Sequence, residues 1–281
     1  MAVYFPNLDE FKKIGGEKMK KIIGAIIIAV FASTGAFAAD KSLRMGTEGY
    51  YPPFNHFDSA GVVKGFDIDI GNAICENMKV KCTWVTTDWD GIIPALNSNK
   101  FDTILASMAI TEKRSKVVSF TRPYYYNSVR FVARKDLKLK GAMPKDLKGM
   151  AIGTQSGTQE VKILENFYSG SKVKRYPKLD DALLDLETGR VDAVLASQFV
   201  LGDWLKKEKG SGCEFVGEAF VDDENLGTGI AVRKSDTELL EKLNKAIDQI
   251  VSDGTYTKIR EQYFSFDIMS HPIKTSELFG K

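Results

Sequence analysis

Arg114 closes the run Thr111-Glu-Lys-Arg114, seven residues beyond an apolar segment that ends at Ser107. Its guanidinium is permanently charged, planar and able to hold a carboxylate through two parallel hydrogen bonds, which lysine cannot imitate. In that run taken alone, a solvated arginine is the ordinary reading. Glu48, Tyr51 and Trp89 offer the complementary chemistry. Aromatic faces attract a cation, by up to about 2 kcal/mol when desolvated, and a carboxylate would neutralise it. Tyr51 and Trp89 serve equally well as packing residues, the usual fate of aromatics. Gly157-Thr158 opens a helical pattern whose free N–H groups and dipole favour an anion, and Thr158 also suits a simple helix cap. Asp67 and Asp69 read as caps of their own helix rather than as ligand contacts.

Other chemistries are poorly supplied. His56 and His271 are the only histidines and neither has ligand spacing, so no metal and no cofactor are expected. The formal charge is only +2 and no basic cluster is interleaved with aromatics, which argues against nucleic acid. Catalysis in a cleft needs a buried acid of raised pKa, for which Glu48 is the obvious candidate. Cys75 and Cys82 stand seven residues apart, one near a helix end and one entering a strand. A disulfide between them would pin helix to sheet, worth about 2 to 3 kcal/mol on the loop-entropy model. Cys213 is left over, and burial explains it.

The elements that must position these residues announce themselves by a repeat. Phe101-Asp-Thr-Ile-Leu-Ala-Ser107 returns ninety positions later as Val191-Asp-Ala-Val-Leu-Ala-Ser197. Each copy follows a helical pattern ending in Leu (Leu96, Leu186) and reads as a buried strand of a parallel sheet. Two such copies imply two α/β lobes, each a mainly parallel sheet flanked by helices. Ligands of open α/β sheets bind outside the carboxyl ends of the strands, here Ala106-Ser107 and Ala196-Ser197. Lobe 1 is expected at 40–126 plus 227–270 and lobe 2 at 129–222, with two hinge crossings near Asn127 and Glu224. Two crossings suit closure around a ligand. Late in the chain, Ser235 and Glu238 read as a capping box for a helix that stops at Gly254.

The N-terminus reads as an export signal. Lys18 to Lys21 are positive, Ile22 to Ala32 form an apolar core too short to span a bilayer, and Ala36-Phe-Ala38 is a cleavage pattern. Residues 19–38 are thus expected to be a signal peptide cleaved after Ala38, delivering the chain to the periplasm, an oxidising compartment that suits the disulfide. Met19 reads as the true start. Residues 1–18 then form an upstream gene-calling artefact, with Gly15-Gly-Glu-Lys18 a translated ribosome-binding site. A native peptide from within Val3 to Lys12, found by mass spectrometry, would refute this.

Several motifs, in this order behind a signal peptide, carry a family resemblance. They are Gly46-Thr-Glu48-Gly-Tyr-Tyr51-Pro-Pro-Phe54, Gly65-Phe-Asp67-Ile-Asp69, Asp88-Trp89-Asp-Gly-Ile-Ile-Pro94 and Ala106-Ser-Met-Ala-Ile-Thr111-Glu-Lys-Arg114. Gly153-Thr-Gln-Ser-Gly157-Thr158-Gln-Glu160 and Asp253-Gly254-Thr-Tyr complete the set. Over residues 40 to 265 the chain resembles the family-3 periplasmic solute-binding proteins, the amino-acid receptors of ABC importers. It looks closest to the branch for lysine, arginine, ornithine or histidine. The resemblance implies a non-catalytic monomer with the two-lobed periplasmic-binding-protein fold, which closes on an amino acid and delivers it to a membrane permease. It implies that Arg114 holds the ligand carboxylate and that Glu48, Tyr51 and Trp89 form the side-chain pocket. Ala106, Ser107, Ala109, Thr158, Gln159 and Ser197 complete the expected contacts. The segment around Thr158 is one residue shorter than the family's Gly-Thr-Thr-Gln pattern. Ser197 stands where the family has an aspartate for the ligand's ammonium, a departure shared with the opine-binding branch. An opine or other N-modified amino acid is therefore the runner-up ligand, and dehydratase activity on the same fold the runner-up class.

Overall fold

The computed structural model describes residues 42–270 and 272–280; the expected leader, the residues before it and His271 lie outside them. Two five-stranded sheets organise the chain. The first uses β1 (Ser42–Thr47), β5 (Lys81–Thr86), β6 (Thr103–Ile104), β7 (Ser119–Phe120) and β13 (Ala231–Val232), in the order β5-β1-β6-β13-β7. The second uses β8 (Val129–Arg134), β9 (Ala151–Gln155), β10 (Lys172–Tyr176), β11 (Ala193–Ser197) and β12 (Cys213–Phe220), in the order β10-β9-β11-β8-β12. Pairing is parallel along β5-β1-β6 and along β10-β9-β11. It is antiparallel at the other two pairs of each sheet, so the sheets are mixed rather than mainly parallel. The cause is the chain that returns between lobes: β8 and β13 enter their sheets from the opposite end. A small antiparallel ribbon, β2 (Tyr50–Tyr51), β3 (Asn55–Phe57) and β4 (Val63–Lys64), sits on the first lobe.

Helix α1 (Phe66–Met78) covers the first sheet, burying Ile70 and Ile74 one turn apart, as the periodicity requires. Its cap differs from expectation. Gly65 at φ 124° is the N-cap and no side chain caps the helix, so Asp67 and Asp69 do other work. A Cys75–Cys82 disulfide, with Cα atoms 5.8 Å apart, ties the end of α1 to β5. The short α2 (Ile92–Asn97) precedes β6, and α3 (Glu112–Ser115) follows it. The second sheet carries α4 (Gln159–Phe167), α5 (Leu179–Glu187) and α6 (Gln198–Leu205). Back on the first lobe, α7 (Thr237–Ser252) buries the predicted stripe Leu243, Ala246, Ile247 and Ile250. The helix start lies one residue beyond the expected Ser235 cap. Asp236 is the N-cap without a side-chain capping bond, and the Ser235 hydroxyl donates to Asp236 instead.

The chain passes from the first sheet to the second between Phe120 and Val129, and back between Phe220 and Ala231. A further passage was not foreseen. After α8 (Thr255–Tyr263), which packs on α1, the chain returns to the second lobe as α9 (Thr275–Phe279). Phe279 stacks on Phe167 at 4.5 Å and meets Phe220 edge-on, covering apolar surface that β12 would otherwise expose. Thr275 and Ser276 clamp Asp223 with their hydroxyls at 2.6 Å each. Phe199 on α6 meets Phe54 and Phe264 of the first lobe, at 6.0 and 5.3 Å between ring centroids. The aromatic core thus continues across the two lobes.

Candidate ligand-binding site

Strand ends, helix starts and crossings converge on one cavity of roughly 440 Å³ of empty space between the two sheets. From the first lobe come Glu48 just beyond β1, Tyr51 in β2, Trp89 after β5, and Ala106, Ser107 and Ala109 beyond β6, with Arg114 on α3. From the second come Gln155, the last residue of β9, and Thr158, Gln159 and Glu160 at the start of α4. The crossings contribute Asn127 and Thr228. Nine of the ten residues expected from the sequence therefore line one cavity. Ser197 does not: it is fully buried behind it, donating to Asn127 Oδ1 at 2.8 Å and accepting the Phe199 N–H at 3.3 Å as the cap of α6.

Local backbone conformation aims these groups. Thr111 caps α3 by accepting the Arg114 N–H, which fixes the base of the arginine. The guanidinium then donates to Ala109 O at 2.8 Å and, across the cleft, to Gly157 O at 3.2 Å. It lies 5.1 Å from the centre of the Trp89 ring, so that ring steadies the protein's own cation. Gly157 has φ +67°, and a Cβ there would sit 2.8 Å from Asp90 Oδ1. Glycine takes this left-handed turn without strain, and a side chain here would also force the Asp90 carboxylate to move. Ser156 donates to Asp90 across the same seam at 2.8 Å. Ser107 also has positive φ, 54°, which takes the chain off β6 and turns its hydroxyl among Asp67 and Tyr125.

Three ionisable groups dominate the cavity. Burial pushes Arg114 down to about 10, which leaves it fully charged at neutral pH. Burial pushes Glu48 up to about 7, against a hydrogen bond from Gln155 Nε2 at 2.7 Å that favours its charged form. Glu160 is also raised by burial, opposed by its own backbone N–H, the Thr158 hydroxyl and the charge of Arg114. Among the described residues, neither Arg114 nor Glu160 is in an ion pair. The cavity thus holds one buried cation and two buried carboxyl groups at separate stations, whose charged forms a cationic ligand would favour. Such a set can bind a zwitterion that carries an additional positive charge.

Four lining residues escaped the sequence reading: Asn127, Gln155, Glu160 and Thr228. Gln155 and Glu160 lay within the motif Gly153–Glu160, at a strand end and a helix start, and that placement was the available signal. Thr228 gave none. It joins the wall because isolated bridges link it to both Ala109 and Tyr125. Glu48 and Glu160 are both acids raised by burial, so Glu48 is no longer the sole candidate for proton chemistry.

Comparison with known proteins converges on one group. The pattern of bacterial extracellular solute-binding proteins, family 3, matches residues 43–266. An L-arginine-binding protein of Pseudomonas aeruginosa is 45% identical over 258 residues, covering 89% of this chain and 98% of its own. The lysine/arginine/ornithine-binding periplasmic protein of Escherichia coli is 38% identical, covering 89% and 99%. Among solved structures, an ancestral arginine-binding protein bound to arginine superposes with a TM-score of 0.75 at 41% identity, covering 80% of this chain and 98% of that one.

Proposed function

This chain belongs to family 3 of the bacterial extracellular solute-binding proteins, and from that premise we propose that it is an exported receptor for a basic amino acid. It closes two lobes around arginine, lysine, ornithine or histidine and hands the ligand to an ABC-transporter permease, without chemical turnover. The observation that carries this reading is the charge balance of the cavity. Arg114 takes the ligand carboxylate, with the Gly157 turn beside it. Glu160 faces the α-ammonium. Glu48, with Tyr51 alongside, takes the distal cation. One fixed positive group and two acids, ionised when a cation faces them, match a ligand of net charge +1.

The same count weighs against the runner-up ligand. An opine was attractive because Ser197 is neutral where a carboxylate was expected. Glu160 supplies a carboxylate from the neighbouring helix start, while an opine brings a second carboxylate for which the described lining residues offer no second cation. The expected leader at 19–38 and the Cys75–Cys82 disulfide support export to the periplasm, where disulfides persist. Among the described residues, no helix is long and apolar enough to cross a membrane.

The test is a thermal-shift panel on the purified chain with arginine, lysine, ornithine, histidine, glutamine, octopine and nopaline. A ligand at 100 times its Kd stabilises by about 2.7 kcal/mol. The basic amino acids should give the largest shifts. A larger shift with an opine would overturn the ligand assignment, and turnover of a prephenate-like compound without any amino-acid shift would favour an enzyme.

A further inference from the structure

Asp67 does not itself line the cavity, yet it sits directly behind Ser107, at the junction of the elements that build one side of it. It is fully buried. Oδ1 accepts the Tyr124 hydroxyl at 2.7 Å, and Oδ2 accepts Asn55 Nδ2 at 3.1 Å and the Ser107 hydroxyl at 3.2 Å. Each donor leads elsewhere. Asn55 uses its Oδ1 to accept the Gly49 N–H at 2.9 Å, directly after Glu48. Ser107 holds a left-handed backbone at φ 54° and accepts the Tyr125 hydroxyl at 2.7 Å. Tyr124 and Tyr125 lie at the mouth of the first crossing, three and two residues before Asn127.

We propose that Asp67 is a positioning residue for ligand capture, its Oδ2 fixing at once the Glu48-Gly49 turn through Asn55 and the strained cavity residue Ser107. The proposal rests on the reading of this cavity as an amino-acid site. A carboxylate is suited to the task because it accepts from several donors and has none of its own. A non-glycine residue in the left-handed region persists only where its surroundings hold it, and for Ser107 the holding bonds are those to Asp67 and Tyr125. Burial pushes the Asp67 carboxyl up to about 6, and the three donors favour its charged form. Asparagine at this position would turn an N–H₂ group toward at least one donor. That would leave a buried polar group unmatched and release either the turn or the serine.

Asp69, on the same helix, is the internal control. Its Oδ2 accepts the Tyr263 hydroxyl at 2.6 Å, and among the described residues neither Asp69 nor Tyr263 lines the cavity. The experiment compares Asp67→Asn with Asp69→Asn by calorimetric titration of L-arginine, alongside the melting temperature of each unliganded protein. Both variants should lower the melting temperature. Only Asp67→Asn should weaken arginine binding, by about tenfold or more, the scale of losing charge-assisted bonds at a buried acceptor; Asp69→Asn should stay within about twofold, the usual scatter for a site not in contact. Equal affinity losses in the two, or wild-type affinity in Asp67→Asn, would overturn the proposal. If Asp67→Asn does not fold, Asn55→Ala carries the same test through the Gly49 arm: weakened arginine binding supports the proposal and unchanged binding overturns it. A wild-type protein that binds no amino acid of the panel fails at the earlier reading instead, and this inference falls with it.

Discussion

Ser107 and Ser197 end the same seven-residue pattern, occupy equivalent positions beside central strands, and do opposite things. Ser107 turns left-handed, leaves β6 after only two strand residues and lines the cavity. Ser197 completes a five-residue strand, keeps φ at −48° and becomes the cap of α6. Its hydroxyl donates to Asn127 and accepts the Phe199 N–H, with none of its surface exposed. Apolar alternation decides which strand is buried. The backbone angle at the terminal serine decides whether the strand end lines the cavity or starts a helix. The second lobe therefore presents its carboxylate from the first turn of α4, through Glu160, rather than from its strand end.

The contrast can be broken most directly at the charged groups. Arg114→Ala should abolish detectable arginine binding, a loss of about 3 kcal/mol or more, because the ligand carboxylate would be buried without its partner; calorimetry that finds near-wild-type affinity would remove the first lobe's anchor. Next comes Glu160→Gln, expected to cost about 1.5 to 3 kcal/mol, the range for a hydrogen bond to a charged group. Should Ser197→Ala cost more affinity than Glu160→Gln, the second lobe works from its strand end after all.

Glu48 sharpens the comparison through pH. With its carboxyl raised to about 7, arginine affinity should increase as pH rises from about 6 to 8, and Glu48→Gln should flatten that profile. The stability of the unliganded fold runs the other way. A carboxyl raised by burial contributes stability that is fully present below its ordinary value of 4.5 and is lost as pH rises through about 7. Melting curves across this range check the second trend and titrations the first. The smallest effects belong to the serines themselves. Ser107→Ala should weaken binding measurably, whereas Ser197→Ala should mainly lower the melting temperature, by the equivalent of about 1 kcal/mol for a lost cap.

Much of this was legible before folding. Ile70 and Ile74 marked the buried face of α1, and Leu243, Ala246, Ile247 and Ile250 that of α7, because helical period is a local property. Cys75 and Cys82 were close enough in sequence for one helix end and one strand start to bring them together. Caps were less legible. Asp67, Asp69, Ser235 and Glu238 all had the right chemistry for helix starts, but a tertiary partner or a different N-cap took precedence in each helix. Asp67 is the clearest instance. Its three donors come from positions 12, 40 and 57 residues away in the chain.

The sequence by itself determined the two-sheet α/β plan and the disulfide, which depend on short-range periodicity and spacing, while nine of the residues around the cavity were implied by the family resemblance that its contiguous motifs carry. Tertiary structure alone decided how the cavity's charges are arranged. Arg114 meets Gly157 across 43 residues and Gln155 meets Glu48 across 107, contacts that no local pattern encodes. It also decided that Glu160 enters the cavity while Ser197 withdraws from it. Burial and electrostatic pairing are set by what packs against a residue, and here that packing comes from the opposite lobe.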